Sequence, residues 1–171
     1  GKDKDSSASK WVHDLLRHFS TVMLITTEGE GDKAALRARP MDVAKLDDDC
    51  TLTFLTGLDT AKVHEVKADA PVHVVAQGRS VYVSLRGRVE VVRDRDRIQA
   101  AWKPADKVYF PEGKDDPNLC LMVLHPDEAE FWDMSGPKGM RYLFKAARAL
   151  FSGERMQSGG GAETHDRIEL G

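Results

Sequence analysis

Short apolar runs and segments in which apolar and polar residues alternate recur along this chain, and they predict strands. Val22 to Thr27 is an apolar run of strand length that ends in the turn-rich Glu28-Gly-Glu-Gly-Asp32. A second strand is expected from about Ala34 to Ala44 and a third from Thr51 to Thr56. Pro71 to Gln77 and Ser80 to Val92 are Val-rich and alternate, with Gly78-Arg79 between them as a hairpin signal. Leu119 to Leu124 and Ala129 to Trp132 are the last two strand candidates. Helical spacing marks Ser6 to Phe19, where Trp11, Leu15, Leu16 and Phe19 share a face and Ser6 or Ser7 can cap. Shorter helices are expected after Gly57-Leu-Asp-Thr60, through about Ala68, and over Asp94 to Trp102. Lys103 to Asn118 contains three prolines and reads as an ordered loop, and Lys138 to Phe151 reads as a helix. The tally is six or seven strands in antiparallel order, without the strand–helix alternation of a parallel sheet. The fold class is therefore mainly β with flanking helices, and a small antiparallel barrel is its simplest closure.

Length and composition narrow the picture. The chain has 171 residues, enough for one domain with a substantial core. The expected organisation is a disordered tail over 1–10, one domain over 11–153, and a flexible polar tail over 154–171 entered through Ser158-Gly-Gly-Gly161. A net charge of −3 gives no general positive field for nucleic acid or an anionic membrane, so any bound anion must be held by a few placed residues. No apolar run approaches the roughly 20 residues of a membrane helix, and residues 1–10 lack a secretory apolar stretch. The two cysteines, Cys50 and Cys120, show no metal-like spacing and read as reduced core residues. A cytoplasmic location fits these features.

Candidate chemistry concentrates in three places. In Leu36-Arg-Ala-Arg-Pro-Met-Asp-Val43, period-two alternation puts Arg37, Arg39, Met41 and Val43 on one face. Two arginines there call for an anion, carboxylates or water, and Pro40 removes a ladder donor, so the strand is an edge or is bulged. In Thr56-Gly-Leu-Asp-Thr-Ala-Lys62 a strand gives way to a helix start, where backbone N–H groups, the Thr60 hydroxyl and the Lys62 ammonium suit a phosphate. Capping by Asp59 or Thr60 beside a surface lysine is the plainer alternative, and a carboxylate at the cap would oppose an anion. Gln77 ends a strand with an amide that can read a heterocycle edge or simply face a loop, and Trp132 is either a core aromatic or a stacking platform. The six histidines have no ligand spacing, and no nucleophile motif or dinucleotide fingerprint is present.

An ordered set of segments spans about Trp11 to Gly153. It comprises Arg39-Pro-Met41, Thr53-Phe-Leu-Thr56, Thr60-Ala-Lys62, Arg86-Gly-Arg-Val-Glu-Val91, Asp94-Arg95, Trp102, Tyr109-Phe-Pro-Glu-Gly-Lys-Asp-Asp-Pro117 and Glu130-Phe-Trp-Asp133. This set resembles the general stress protein branch of the pyridoxamine 5′-phosphate oxidase-like split barrels. The resemblance implies a six-stranded antiparallel split β-barrel of the FMN-binding type, a homodimer, and FMN at the subunit interface. By position it implies Arg39 and Lys62 at the FMN phosphate, with Thr60 where the family usually has Ser. Pro40, Met41 and Thr56 fall along the isoalloxazine, and Gln77 and Trp132 approach from the other subunit. Ala61 stands where relatives often carry a polar residue. The implied activity is flavin-dependent oxidoreduction of an unassigned substrate, with no catalytic side chain required because the flavin carries the redox chemistry. A non-enzymatic flavin-binding role and binding of a deazaflavin or haem are alternatives on the same fold. A true pyridoxamine 5′-phosphate oxidase needs an Arg-x-His pair near its C-terminus, whereas Thr164-His-Asp-Arg-Ile-Glu-Leu170 has the reverse order.

Overall fold

The computed structural model describes residues 2–66, 71–137 and 165–170. Helix α1 (Lys2–Leu16) precedes strand β1 (Thr21–Glu28), a 3-10 turn at Gly31–Lys33, and strands β2 (Ala35–Asp42), β3 (Lys45–Leu46) and β4 (Leu52–Gly57). Helix α2 (Ala61–Val66) leads to strands β5 (Val72–Gln77) and β6 (Val81–Val92) and helix α3 (Arg95–Ala101). A second 3-10 turn at Pro104–Val108 precedes strands β7 (Leu119–Asp133) and β8 (His165–Glu169). All strand pairs are antiparallel, in the path β2-β1-β5-β6-β7-β4-β3, with β8 on the remaining edge of β7. The sheet curls until β2 lies against β4. Six long strands thus make the split barrel that the sequence predicts, and β3 and β8 are short additions.

Burial follows the pleat. Val22, Leu24 and Thr26 on β1, Val72, Val74 and Ala76 on β5, and Val83 and Leu85 on β6 turn inward, and their neighbours turn out. Val12 and Leu16 of α1 close one end of the interior, and Trp11 stacks on Phe131 with ring centroids 5.7 Å apart. A second core forms on the opposite side of β4, β6 and β7, where Val92, Leu119, Leu121 and Val123 meet Ile98 of α3, with Leu55, Trp102 and Phe110 packed around them. This is why β4 and the first part of β7 are buried on both faces. Cys50 and Cys120 are both buried and form no disulfide among the described residues, and burial pushes the Cys50 thiol up to about 11 while its S–H donates to the Ser9 carbonyl.

Three expectations need correction. The two last strand candidates are one strand, β7, because Pro126 and Asp127 are absorbed by a bulge rather than ending it. Arg86 pairs Glu128 and Gly87 pairs Pro126, which leaves Asp127 as the extra residue. Gly87 permits this approach, since a Cβ there would stand 2.2 Å from the His125 carbonyl oxygen. The tail expected over 154–171 carries β8, which satisfies the edge of β7 between Glu128 and Trp132 that β4 leaves open. Its Arg167 donates to Glu128 and holds that carboxyl below its usual range, and Leu170 N–H donates to the Asp127 carbonyl at 2.7 Å. At the other end the tail expected over 1–10 is helical from Lys2, since no Pro or Gly between Lys2 and Lys10 interrupts the backbone. The helix expected over 138–151 and the linker at 158–161 lie outside the described residues. The short helix expected through about Ala68 is observed to Val66, and the residues after it lie outside the described set.

Gly87→Ala is expected to destabilise the protein by roughly 1–3 kcal/mol, because the added methyl must displace a backbone carbonyl rather than a pliable side chain. Urea denaturation of the two proteins measures the difference, and equal midpoints contradict the close approach.

Candidate functional site

The site begins with the inner face of an edge strand. Strand β2 pairs only β1 among the described residues, and its register sets Met41 opposite Val22, Arg39 opposite Leu24 and Arg37 opposite Thr26. Val22, Leu24 and Thr26 are buried, so Arg37, Arg39 and Met41 share the interior side of the sheet. Met41 is buried there as an apolar residue should be. Arg39 is half-buried and its Nη1 donates to the Thr26 hydroxyl, which itself is 2 % exposed. Val43, expected on the same face, lies just past the strand and packs against the inner core. An edge position also accommodates Pro40, which has no N–H to give to a ladder.

The second part comes from the end of β4. Thr56 pairs Cys120 of β7, both buried on the inner side, and Gly57 pairs Leu119. The chain then turns sharply: Thr60 Oγ1 donates to the Gly57 carbonyl at 2.8 Å, and Thr60 N–H donates to the same oxygen at 3.2 Å. Asp59, the carboxylate that would oppose an anion, is engaged elsewhere. Asn118 Nδ2 donates to Asp59 Oδ1 at 3.0 Å, and Asp59 N–H donates to Asn118 Oδ1 at 3.3 Å. Gly57 makes room for that pair, because a Cβ there would lie 2.7 Å from Asn118 Nδ2. Capping by Asp59 is therefore not what the turn does.

Helix α2 packs against β1 and carries Lys62 to the inner-face arginines. Lys62 is half-buried, and no carboxylate among the described residues forms a salt bridge with it. Burial lowers its pKa below the usual lysine value, and the charge of Arg39 lowers it further, with a smaller contribution from Arg37. Cys120 and Asp59 pull the other way, each more strongly than Arg37 pulls down. Arg39 and Lys62, partly withdrawn from water, thus meet at one end of the barrel interior with Arg37 exposed at its rim, an arrangement that suits a multiply charged anion.

Of the eight residues singled out from the sequence, the fold brings Arg39, Met41, Thr56, Thr60 and Lys62 to this end of the interior and places three on the other side of the sheet. Pro40 pairs Met23 on the outer face. Gln77 pairs Tyr82, and Tyr82 pairs Trp132, so Gln77, Tyr82 and Trp132 form one row across β5, β6 and β7. Their neighbours Ala76, Val83 and Phe131 are buried, which puts the row on the outside. Trp132 is thus not a core aromatic. Thr26, Arg37 and Tyr82 were not among the eight. Strand alternation alone groups Arg37 with Arg39, whereas Thr26 and Tyr82 emerge only from cross-strand register. Among the described residues no group of three or more His, Cys, Asp or Glu could hold a metal ion, and no helix is long and apolar enough to cross a membrane.

Comparison with known proteins agrees with this fold. The model of the pyridoxamine 5′-phosphate oxidase like family matches residues 7–157. The chain belongs to that family. A solved structure from Jannaschia sp. CCS1, a candidate general stress protein 26, is 25% identical, with a TM-score of 0.65 over 96% of this chain and 99% of that one. The general stress FMN/FAD binding protein from Xanthomonas citri is 25% identical, with a TM-score of 0.60 over 80% of this chain and 92% of its own. General stress protein 26 from Bacillus anthracis str. Sterne shares the fold at 17% identity and a TM-score of 0.63, over 74% of this chain and 92% of that chain. No curated protein sequence matches.

For a member of this family without a ligand, the cation cluster is a cost. Lys62→Met is expected to raise the melting temperature of the ligand-free protein and to abolish the stabilisation that added inorganic phosphate gives the wild type. Because the folded pKa of Lys62 lies below 10.5, the unfolded chain holds more protons than the native one between the two values. Wild-type stability accordingly rises with pH through that window, and the variant lacks the rise. Thermal scans of both proteins from pH 7 to 10, with and without phosphate, check each sign.

Proposed function

We propose that the protein is an FMN-binding flavoprotein that works as a homodimer, with the flavin phosphate at Arg39 and Lys62. The observation that carries this reading is the half-buried Lys62 beside Arg39 on the inner face, where like charges meet and, among the described residues, no carboxylate bridges to the lysine. An FMN phosphate carries about two negative charges, and charge-assisted bonds to guanidinium and ammonium groups are the strong kind. Thr60 adds a hydroxyl at the same turn. Met41 and Thr56 supply an apolar and a hydroxyl-bearing surface for the isoalloxazine, with the backbone at Pro40 beside them. When bound, the flavin would supply electron and hydride transfer, so the protein's part is to hold it, orient it and limit water around it. The fit to relatives named FMN/FAD binding and general stress proteins supports the reading. An oxidoreductase acting on a small-molecule substrate is its natural extension.

The two-sided placement of the site residues supports the dimer. Gln77 and Trp132 face away from the cradle of their own chain, so they serve a flavin only if it is held by a second copy. The outer face also leaves Met23, Leu36 and Tyr82 exposed, with Leu36 at 77 %. Apolar surface of this kind favours association.

Extraction of the chromophore from purified or FMN-reconstituted protein tests the reading, and the expected spectrum is that of an oxidised flavin released as the monophosphate. Arg39→Ala and Lys62→Ala should each weaken FMN by about 1.5–3 kcal/mol, read by quenching of flavin fluorescence. Unchanged affinity in both variants removes the cradle. Placing a charge on the outer face, Met23→Glu, should shift the protein to monomer in light scattering and reduce FMN affinity at least tenfold. A monomer with full affinity contradicts the shared site.

A further inference from the structure

The inner face of β2 carries one more cation than the phosphate cradle above uses. Arg37 stands two positions before Arg39 on the same face, directly opposite Thr26. A two-residue step along a strand spans about 6.6 Å, enough to hold two arginines apart. Arg39 does not keep that separation. Its Nη1 donates to Thr26 Oγ1, so the guanidinium leans along the strand into the row that Arg37 occupies. Two cations drawn into one row repel unless an anion lies between or beside them. Arg37 has a carboxylate partner in Glu28, whose Oε1 is 3.8 Å from Arg37 Nη1, with both side chains about half exposed. Such a pair is weak and readily exchanged. Arg37 is exposed where Arg39 and Lys62 are partly buried, which places it at the outer rim of the cluster.

We propose that Arg37 is a third phosphate-binding residue and sets the preference of the site for a phosphorylated flavin over the unphosphorylated one, with Glu28 competing for its guanidinium. The assignment rests on the flavin reading given above. Arg37 contacts the dianion from the solvent side, opposite the half-buried Lys62, and neutralises the part of the charge that the inner cations leave. Removing Glu28 frees the guanidinium and strengthens the contact, so two substitutions on neighbouring strands have opposite signs.

The test is equilibrium binding of FMN and of riboflavin to wild type, Arg37→Gln and Glu28→Gln at low and at physiological salt. The expected result for Arg37→Gln is FMN binding weakened about three- to tenfold, a shallower salt dependence, and riboflavin affinity unchanged. Glu28→Gln is expected to bind FMN about twofold more tightly, again with no change for riboflavin. Retained riboflavin affinity also shows that each variant is folded. If wild type prefers FMN and Arg37→Gln keeps that preference and its salt dependence, the assignment of Arg37 is wrong and the flavin cradle stands. If Arg37→Gln loses FMN and riboflavin equally, Arg37 has a structural role and the assignment is overturned. If wild type binds FMN no better than riboflavin, the phosphate cradle itself fails and the role of Arg37 fails with it.

Discussion

Positive charge gathered inside one end of a barrel is the constraint on which the rest of the site depends. Arg37 and Arg39 reach the interior because strand alternation gives them no other face, and Lys62 reaches it because α2 packs on β1. Partial burial strips water from Arg39 and Lys62 while their mutual repulsion stays strong, and the lowered pKa of Lys62 records both effects. A chain selected only for stability would put carboxylates or apolar residues here. Instead the one acidic side chain of the adjoining turn, Asp59, is tied to Asn118. On the proposed reading, the cluster exchanges stability of the empty protein for affinity toward an anion, a common cost of binding sites.

The fold supplies this arrangement through its two-faced sheet. The interior side holds the cradle, and the exterior side holds Gln77, Tyr82 and Trp132 in one row. Neither group moves to the other face without a register slip, which would turn every apolar residue of a strand to the wrong side. The bulge at Gly87 and Asp127 keeps β7 continuous through Pro126, so Trp132 stays in register with Tyr82 on β6. Strand β8 then completes the edge of β7 at Trp132. A flavin that needs both groups therefore calls for two copies of the chain.

Much of this was legible in the sequence, for identifiable reasons. The apolar run at 22–27 and the alternation at 71–77 and 80–92 reflect faces packed on a core, and they located β1, β5 and β6 within a residue or two. The Arg37–Arg39 face and the turn after Thr56 were legible because they depend on local periodicity and on a glycine. Continuity of β7 was hidden, since Pro126 and two acidic residues imitate a loop and only the partner strand shows them to be a bulge. Strand β8 was hidden for a similar reason: His165–Glu169 is mostly polar, and its pairing with β7 is visible only in the fold. Two-residue β3 is too short for any pattern. The fate of Asp59 depends on Asn118, 59 residues away, and no local rule supplies that.

The central claim concerns the charge state of a bound phosphate, and phosphorus NMR of the FMN complex reads it directly. Free phosphomonoesters take up a proton near pH 6. If Arg39 and Lys62 enclose the phosphate, its resonance should show the dianion and stay fixed as the pH falls from 8 to 5. A bound resonance that titrates as in free FMN would mean that the phosphate lies in solvent and the cations serve another purpose.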